Sequence, residues 1–433
     1  MVTTSGSDAV NIALAEAAAL ATGPGHLVWQ KRVSEIFWIN SAAISRDGSR
    51  MLAATFVHDY RQRTGKFLPN VLGRFGTYCF DTSSPKDAAG APLQPLWSDE
   101  FDGWDGVFGV GISGDGTVAA SAGWLDKTGN TVSGFVRAYS AADGKRLLDC
   151  TNFSQRVSWV GLSDNGAVLA AVSDDVYVFV RDRKAFNPVP LRLGVGGKAN
   201  RYVTGLAVHP SGTWLAACDQ CGNVYVATIR DGAITGTFVW SAPSEIPFLS
   251  VAIASTPNAF VVGGGNSVFL FTLDGIRNAR DPLIFDTTLG QDPATIPPNK
   301  PDGRLQENVR WVAISENGAL ISAVANRLDK TRGTGLLVAL TVQGGQLTRL
   351  WQQGLDNNPN STSIDAAGKF VAASDGYPTC TPSKFYLFDA TTPAGNKLWD
   401  FGTFSMNWPI VISADASAIA AGSDDGTLYY FKP

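Results

Sequence analysis

The chain has 433 residues, of which 17% are charged, and a formal net charge of −4 with no basic run. Nucleic-acid binders usually concentrate positive charge on one face, so this balance argues against nucleic acid as a principal partner. No apolar stretch approaches the roughly 20 residues of a membrane-spanning helix, and 46 glycines with 12 tryptophans suit many short strands joined by tight turns.

Residues 1–25 form a separate N-terminal extension. MVTTSGSDAV is polar and NIALAEAAALATG (11–23) is Ala-rich with helical character. It lacks the basic start and continuous apolar core of a secretory signal. From residue 26 one domain runs to residue 433. It opens with LVW (27–29), a short strand ending in Trp. A pattern then returns eight times: an apolar stretch, a small polar anchor, a turn, and a second apolar stretch ending in Ala-Ala or a close equivalent. Its copies are AISRDGSRMLAA (43–54), GISGDGTVAASA (111–122), GLSDNGAVLAAV (161–172), AVHPSGTWLAAC (207–218), AIASTPNAFVVG (252–263), AISENGALISAV (313–324), SIDAAGKFVAAS (363–374) and VISADASAIAAG (411–422). The anchors Ser45, Ser113, Ser163, His209, Ala254, Ser315, Asp365 and Ser413 recur roughly every 45 to 50 residues, with longer intervals after Ser45 and Ala254. Asp-Gly, Asn-Gly or Ser-Gly at five of the turns supplies the positive φ and local side-chain bonds of a tight hairpin.

A third strand follows each hairpin, as in GTYCFDT (76–82) and TLYYFKP (427–433), with alternating apolar, β-branched and aromatic residues. A fourth is marked by Trp in PLW (95–97), FVW (238–240), RLW (349–351) and KLW (397–399). Four strands at this period make a propeller blade. The eighth blade stops after its third strand, and LVW (27–29) matches the missing outer one. The expected fold is therefore all-β: an eight-bladed propeller of four-stranded blades, closed by the N-terminal strand. Closure removes the open sheet edge that an open solenoid would leave.

Two repeat families share features with these segments. AAGSDDGTLYYF (420–431) resembles a WD40 repeat without its Trp-Asp dipeptide. YSAADGKRLL (139–148) and FDATTPAGNKLW (388–399) resemble the tryptophan-docking repeat of quinoprotein dehydrogenases and outer-membrane assembly propellers. That resemblance implies that each outer-strand Trp packs against the neighbouring blade, and it points towards a periplasmic or secreted location. Neither likeness carries an activity, because both families are scaffolds for many functions. The adjacent Cys pair of the quinoprotein dehydrogenases and a c-type haem motif are both missing.

Function is expected where insertions gather. The segments 57–74, 123–132, 326–335 and 375–384 all join second to third strands, and the Pro-rich segment 286–307 joins two blades. All five belong to one face of the ring. The residues entering the inner strands face the same side. They supply the ligand candidates Trp38, Asn40, Trp104, Arg156, Trp159, Tyr202, Arg310, Trp311, Asn407 and Trp408, with Arg201 and Asn360 beside them. Aromatic faces with Arg and Asn around a mouth suit a small molecule, a glycan or a protein; packing between blades is the other role open to such Trp residues. The reading that follows is a binding platform, with a monomeric chain and no identified cofactor. The alternative is an enzyme in the same mouth, a quinoprotein-like oxidoreductase or a hydrolase or lyase. Its catalytic candidates are His58, Tyr60 and Asp105. Asp99, Glu100 and Asp102 cluster with Asp105 as possible acid–base or Ca²⁺ ligands. With three His in the chain, no His-based metal centre is expected. Cys218 and Cys221, in C-D-Q-C, read as small apolar residues or a local disulfide.

Overall fold

In the computed structural model, each copy of the repeat forms the two inner strands of a four-stranded antiparallel sheet, and eight such sheets are present. The structure describes residues 26–34, 38–56, 73–83, 94–103, 106–126, 132–182, 184–195, 202–288, 309–326, 335–377 and 382–433. Blade 1 runs from Trp38–Ile44 to Trp97–Gly103, blade 2 from Gly106–Ile112 to Arg146–Phe153, and blade 3 from Trp159–Leu162 to Leu191–Arg192. Blade 4 spans Val203–Val208 to Ala233–Ser241, blade 5 Phe248–Ile253 to Leu283–Asp286, blade 6 Val309–Ile314 to Gln346–Leu355, and blade 7 Pro359–Ile364 to Asn396–Thr403. Blade 8 combines Asn407–Ile412, Ile419–Ser423 and Thr427–Phe431 with the N-terminal strand Leu27–Arg32. Trp29 lies opposite Tyr430 and Arg32 opposite Thr427, in antiparallel register. The ring is closed as the sequence pattern requires.

The anchor residue explains the hairpin. Ser45 Oγ donates to the Asp47 carboxylate at 2.7 Å and accepts from the Arg50 N–H at 3.0 Å. Ser113 and Asp115, Ser163 and Asn165, Ser315 and Asn317, and Ser413 and Asp415 repeat the first bond. Gly48 then takes φ +68°, which a side chain would resist.

The Ala-Ala signature has a packing cause. The hydrophobic core is eight separate layers, each between two neighbouring blades. Successive side chains of a strand point to opposite faces. Each Ala-Ala pair therefore puts one small side chain into each flanking layer, where inner strands crowd towards the axis. Ala53 packs in the layer shared with blade 8 and Ala54 in that shared with blade 2. Ala372 and Ala373 divide in the same way.

Outer-strand Trp residues fill the wide ends of these layers. The Trp97 indole of blade 1 donates to the Ala141 carbonyl of blade 2 at 2.9 Å. It lies so close to Gly144 that a Cβ there would sit 2.7 Å from the ring. Trp351 of blade 6 packs on Gly395 of blade 7 in the same manner. The docking contact implied by the tryptophan-docking resemblance is thus present.

The sequence pattern did not anticipate a short helix, α1 (Leu273–Arg277), capped by Thr272 between the third and fourth strands of blade 5. Cys218 and Cys221 are free thiols, not a disulfide. Cys218 is fully buried in its strand, and burial pushes its thiol well above the usual range. No helix among the described residues is long and apolar enough to cross a membrane. Residues 1–25 and most of the inserted loops lie outside the described residues.

Candidate functional site: the two ends of the central channel

At the hairpin-turn end the blades are tied to one another. Backbone bonds run from blade to blade: the Arg46 N–H donates to Gly114 O, Asp115 to Asp164 O, Asp164 to Pro210 O, Thr256 to Glu316 O, Glu316 to Ala366 O, Ala366 to Ala414 O, and Asp415 to Arg46 O. One step, from blade 4 to blade 5, lacks its donor because Pro210 has no N–H. His209 supplies it, its Nε2 lying 3.2 Å from Ser255 O. Its Nδ1 accepts from the Ser211 N–H, so the network places the proton on Nε2. Burial lowers the pKa of His209, which favours this neutral form. Across the axis Arg46 of blade 1 reaches Asp164 of blade 3 at 3.2 Å and Glu316 of blade 6 at 2.6 Å.

The opposite end is built differently. In seven inner strands the pairing register slips at the fifth residue before the anchor. In blade 3 the corresponding Ser158 lies just before the strand, bonded to Val172 O. A bulge leaves its extra residue outside the ladder and re-aims its side chain. The residues at these positions are Asn40, Phe108, Ser158, Thr204, Leu249, Arg310, Asn360 and Trp408. All but Asn40 line one cup of about 710 Å³. Asn40 instead donates to Phe108 O at 2.8 Å, joining blade 1 to blade 2.

Aromatic rings form the floor. Trp159 of blade 3 meets Trp311 of blade 6 edge-to-face, with centroids 5.2 Å apart. These blades are not neighbours, so the pair spans the axis. Phe108 joins Trp159 to Trp124 and Phe56 through contacts of 5.3 to 5.5 Å. Arg156 is exposed, and its guanidinium lies 4.2 Å from the centre of the Trp124 ring. The fourteen described residues of the lining include Arg156 and Arg310 and contain no Asp or Glu.

Six of the ten ligand candidates meet in this cup: Arg156, Trp159, Tyr202, Arg310, Trp311 and Trp408. Trp38 is buried and outside the lining. Asn407 is fully buried; its side-chain oxygen accepts from Thr403 and its carbonyl from Asn360. Trp104, Arg201 and the catalytic candidates His58, Tyr60 and Asp105 lie outside the described residues. Phe108, Trp124, Gln155, Ser158, Thr204, Gln220 and Leu249 belong to the lining without having been anticipated. Counting back five residues from each anchor finds four of them.

The acidic cluster is not assembled as a site in the described part. Asp99 accepts from Tyr139 at 2.6 Å, Arg146 at 2.8 Å and Arg137 at 3.0 Å. Burial raises its pKa, but these bonds and charges outweigh burial and hold it below the usual carboxylate range. It therefore locks blade 1 to blade 2. No group of three or more His, Cys, Asp or Glu able to hold a metal ion occurs among the described residues.

Residues 194–226 match the WD40 family, described as the WD domain, G-beta repeat. This span covers blade 4 from before its inner strand to its third. Two solved structures share the fold of nearly the whole chain. Sqt1 from Chaetomium thermophilum is 13% identical, with a TM-score of 0.62, over 94% of this chain and 99% of its own. The Cps50 (Swd1) β-propeller domain from Myceliophteria thermophila is 14% identical, with a TM-score of 0.52, over 95% of this chain and 100% of its own. No curated protein sequence matches the chain significantly. Nothing in these likenesses supports a quinoprotein class.

Proposed function

We propose that this chain is a protein-binding propeller and that its partner seats on the aromatic mouth. One observation carries the reading. Bulged inner strands bring Phe108, Arg310 and Trp408 to one cup with Arg156, Trp159 and Trp311, while the polar bulge residues Asn40, Thr204 and Asn360 bond to the next blade. A cup floored by Trp159 and Trp311 offers the rigid aromatic anchors on which protein interfaces concentrate their binding energy. Tyr377 and Phe404, each 42% exposed on mouth-side loops of blade 7, extend the apolar surface beyond the cup. A surface of that breadth suits a polypeptide better than a small molecule. The WD40-type repeat and propeller neighbours are consistent with a scaffold of this kind.

Site-specific photo-crosslinking tests it. A benzoylphenylalanine at Tyr202, in the lining of the cup, should capture a partner protein. The same group at Val239, exposed on the outer strand of blade 4, should not. Capture at Val239 alone, or equal capture at both positions, would overturn the proposal.

A further inference from the structure

Resting on the mouth as a protein-binding site, we infer that the segment it takes carries an acidic side chain beside an aromatic or aliphatic one. The chain has 38 acidic residues against 34 basic ones, yet no carboxylate occurs among the described lining residues, which include two arginines. Arg156 is the focus. Arg46, Arg50, Arg137, Arg146 and Arg192 each pair with a carboxylate of the chain. Arg156 is exposed, makes no ion pair among the described residues, and is held over the Trp124 ring. A guanidinium on a ring face keeps N–H donors for a carboxylate, and its planar fork matches two oxygens.

The buried indole N–H groups do not distinguish the mouth: those of Trp124 and Trp408 lack an acceptor, and so do those of Trp29, Trp214, Trp351 and Trp399 in the layers between blades. Phe108, Trp159 and Trp311 provide the apolar surface for a neighbouring side chain. The described lining residues include no lysine, and nucleic acid would require a longer run of positive charge.

The experiment is a display selection of random twelve-residue peptides on the immobilised full chain. Enriched peptides are then synthesised and titrated by fluorescence anisotropy. Asp or Glu next to an aromatic or aliphatic residue should dominate the selected sequences. Exchanging that acid for its amide should raise Kd about tenfold, and so should Arg156→Gln in the protein. The two exchanges together should cost little more than either alone, since each removes the same pair. Arg230→Gln, on an exposed outer turn, should change nothing. Peptides weakened by Trp311→Ala but indifferent to Arg156→Gln would overturn this inference and leave the protein-binding mouth standing. Peptides indifferent to both, or no enrichment at all, would overturn both readings.

Discussion

The two ends of one channel show how the same repeat yields a lock and a cup. At the hairpin-turn end, the anchors and the residues after them bond from blade to blade, and Arg46 is matched by Asp164 and Glu316. At the mouth, seven of the eight inner strands slip out of register, and Arg156 has only an indole beneath it. Polar groups satisfied within the chain stabilise it; polar groups without internal partners are available to something else. The lesson is that chemistry in a repeat ring is found where the pairing rule breaks.

The largest expected effect lies at the mouth. Trp311→Ala removes half of the ring pair that spans the axis. It should weaken binding of mouth-selected peptides by about 2 kcal/mol or more, as for an interface hot spot. Amide exchange at Arg46 and Asp164 should stay slow. If those amides become labile, the two ends are not independent and the contrast fails. Arg156→Gln should cost about 1.4 kcal/mol of peptide affinity and leave stability within about 0.5 kcal/mol by chemical denaturation, since the side chain is exposed.

Arg46→Met probes the lock. It should destabilise the fold by about 1 kcal/mol after allowance for solvent screening of these part-exposed groups, with mouth affinity unchanged. Its pH dependence has a definite sign. Burial already raises the Asp164 pKa, with Arg46 opposing it; without Arg46 the pKa rises further. Between the unfolded and the folded pKa the folded state then holds a proton that the unfolded state has released. The deficit should be greatest at pH 7 and above and shrink as pH falls through the folded pKa. A deficit that grows in acid would refute the ion-pair account. The smallest effect belongs to His209→Ser, which restores the anchor used elsewhere but removes the bond to Ser255. Melting in denaturant should show a loss of about 0.5 to 1 kcal/mol. Burial depresses the His209 pKa, so its contribution is present above the unfolded value and fades as pH falls through the folded one. The gap between wild type and His209→Ser should therefore close on going from neutral to acid pH.

Much of the ring was legible before any coordinates. Ser-x-Asx-Gly turns, Ala-Ala pairs and Trp-marked outer strands are local signals, because hairpin geometry and period-two alternation act over a few residues. The closing strand was legible because Trp29 repeats the outer-strand mark. The site was only partly so. Trp159, Arg156 and Trp311 stood out by residue type, whereas Thr204 and Leu249 are ordinary strand residues whose role comes from a register slip. Asn407 looked equivalent to its neighbours but turned inward to Thr403.

The sequence alone determined the blade, the count of blades and the closure, since each follows from pattern and from the need to bury apolar strand faces. Tertiary structure alone decided which residues meet across the axis. Trp159 and Trp311, or Arg46 and Glu316, are far apart in the chain and lie on non-adjacent blades. Only the curvature of the closed ring brings them together, and no local propensity encodes that distance.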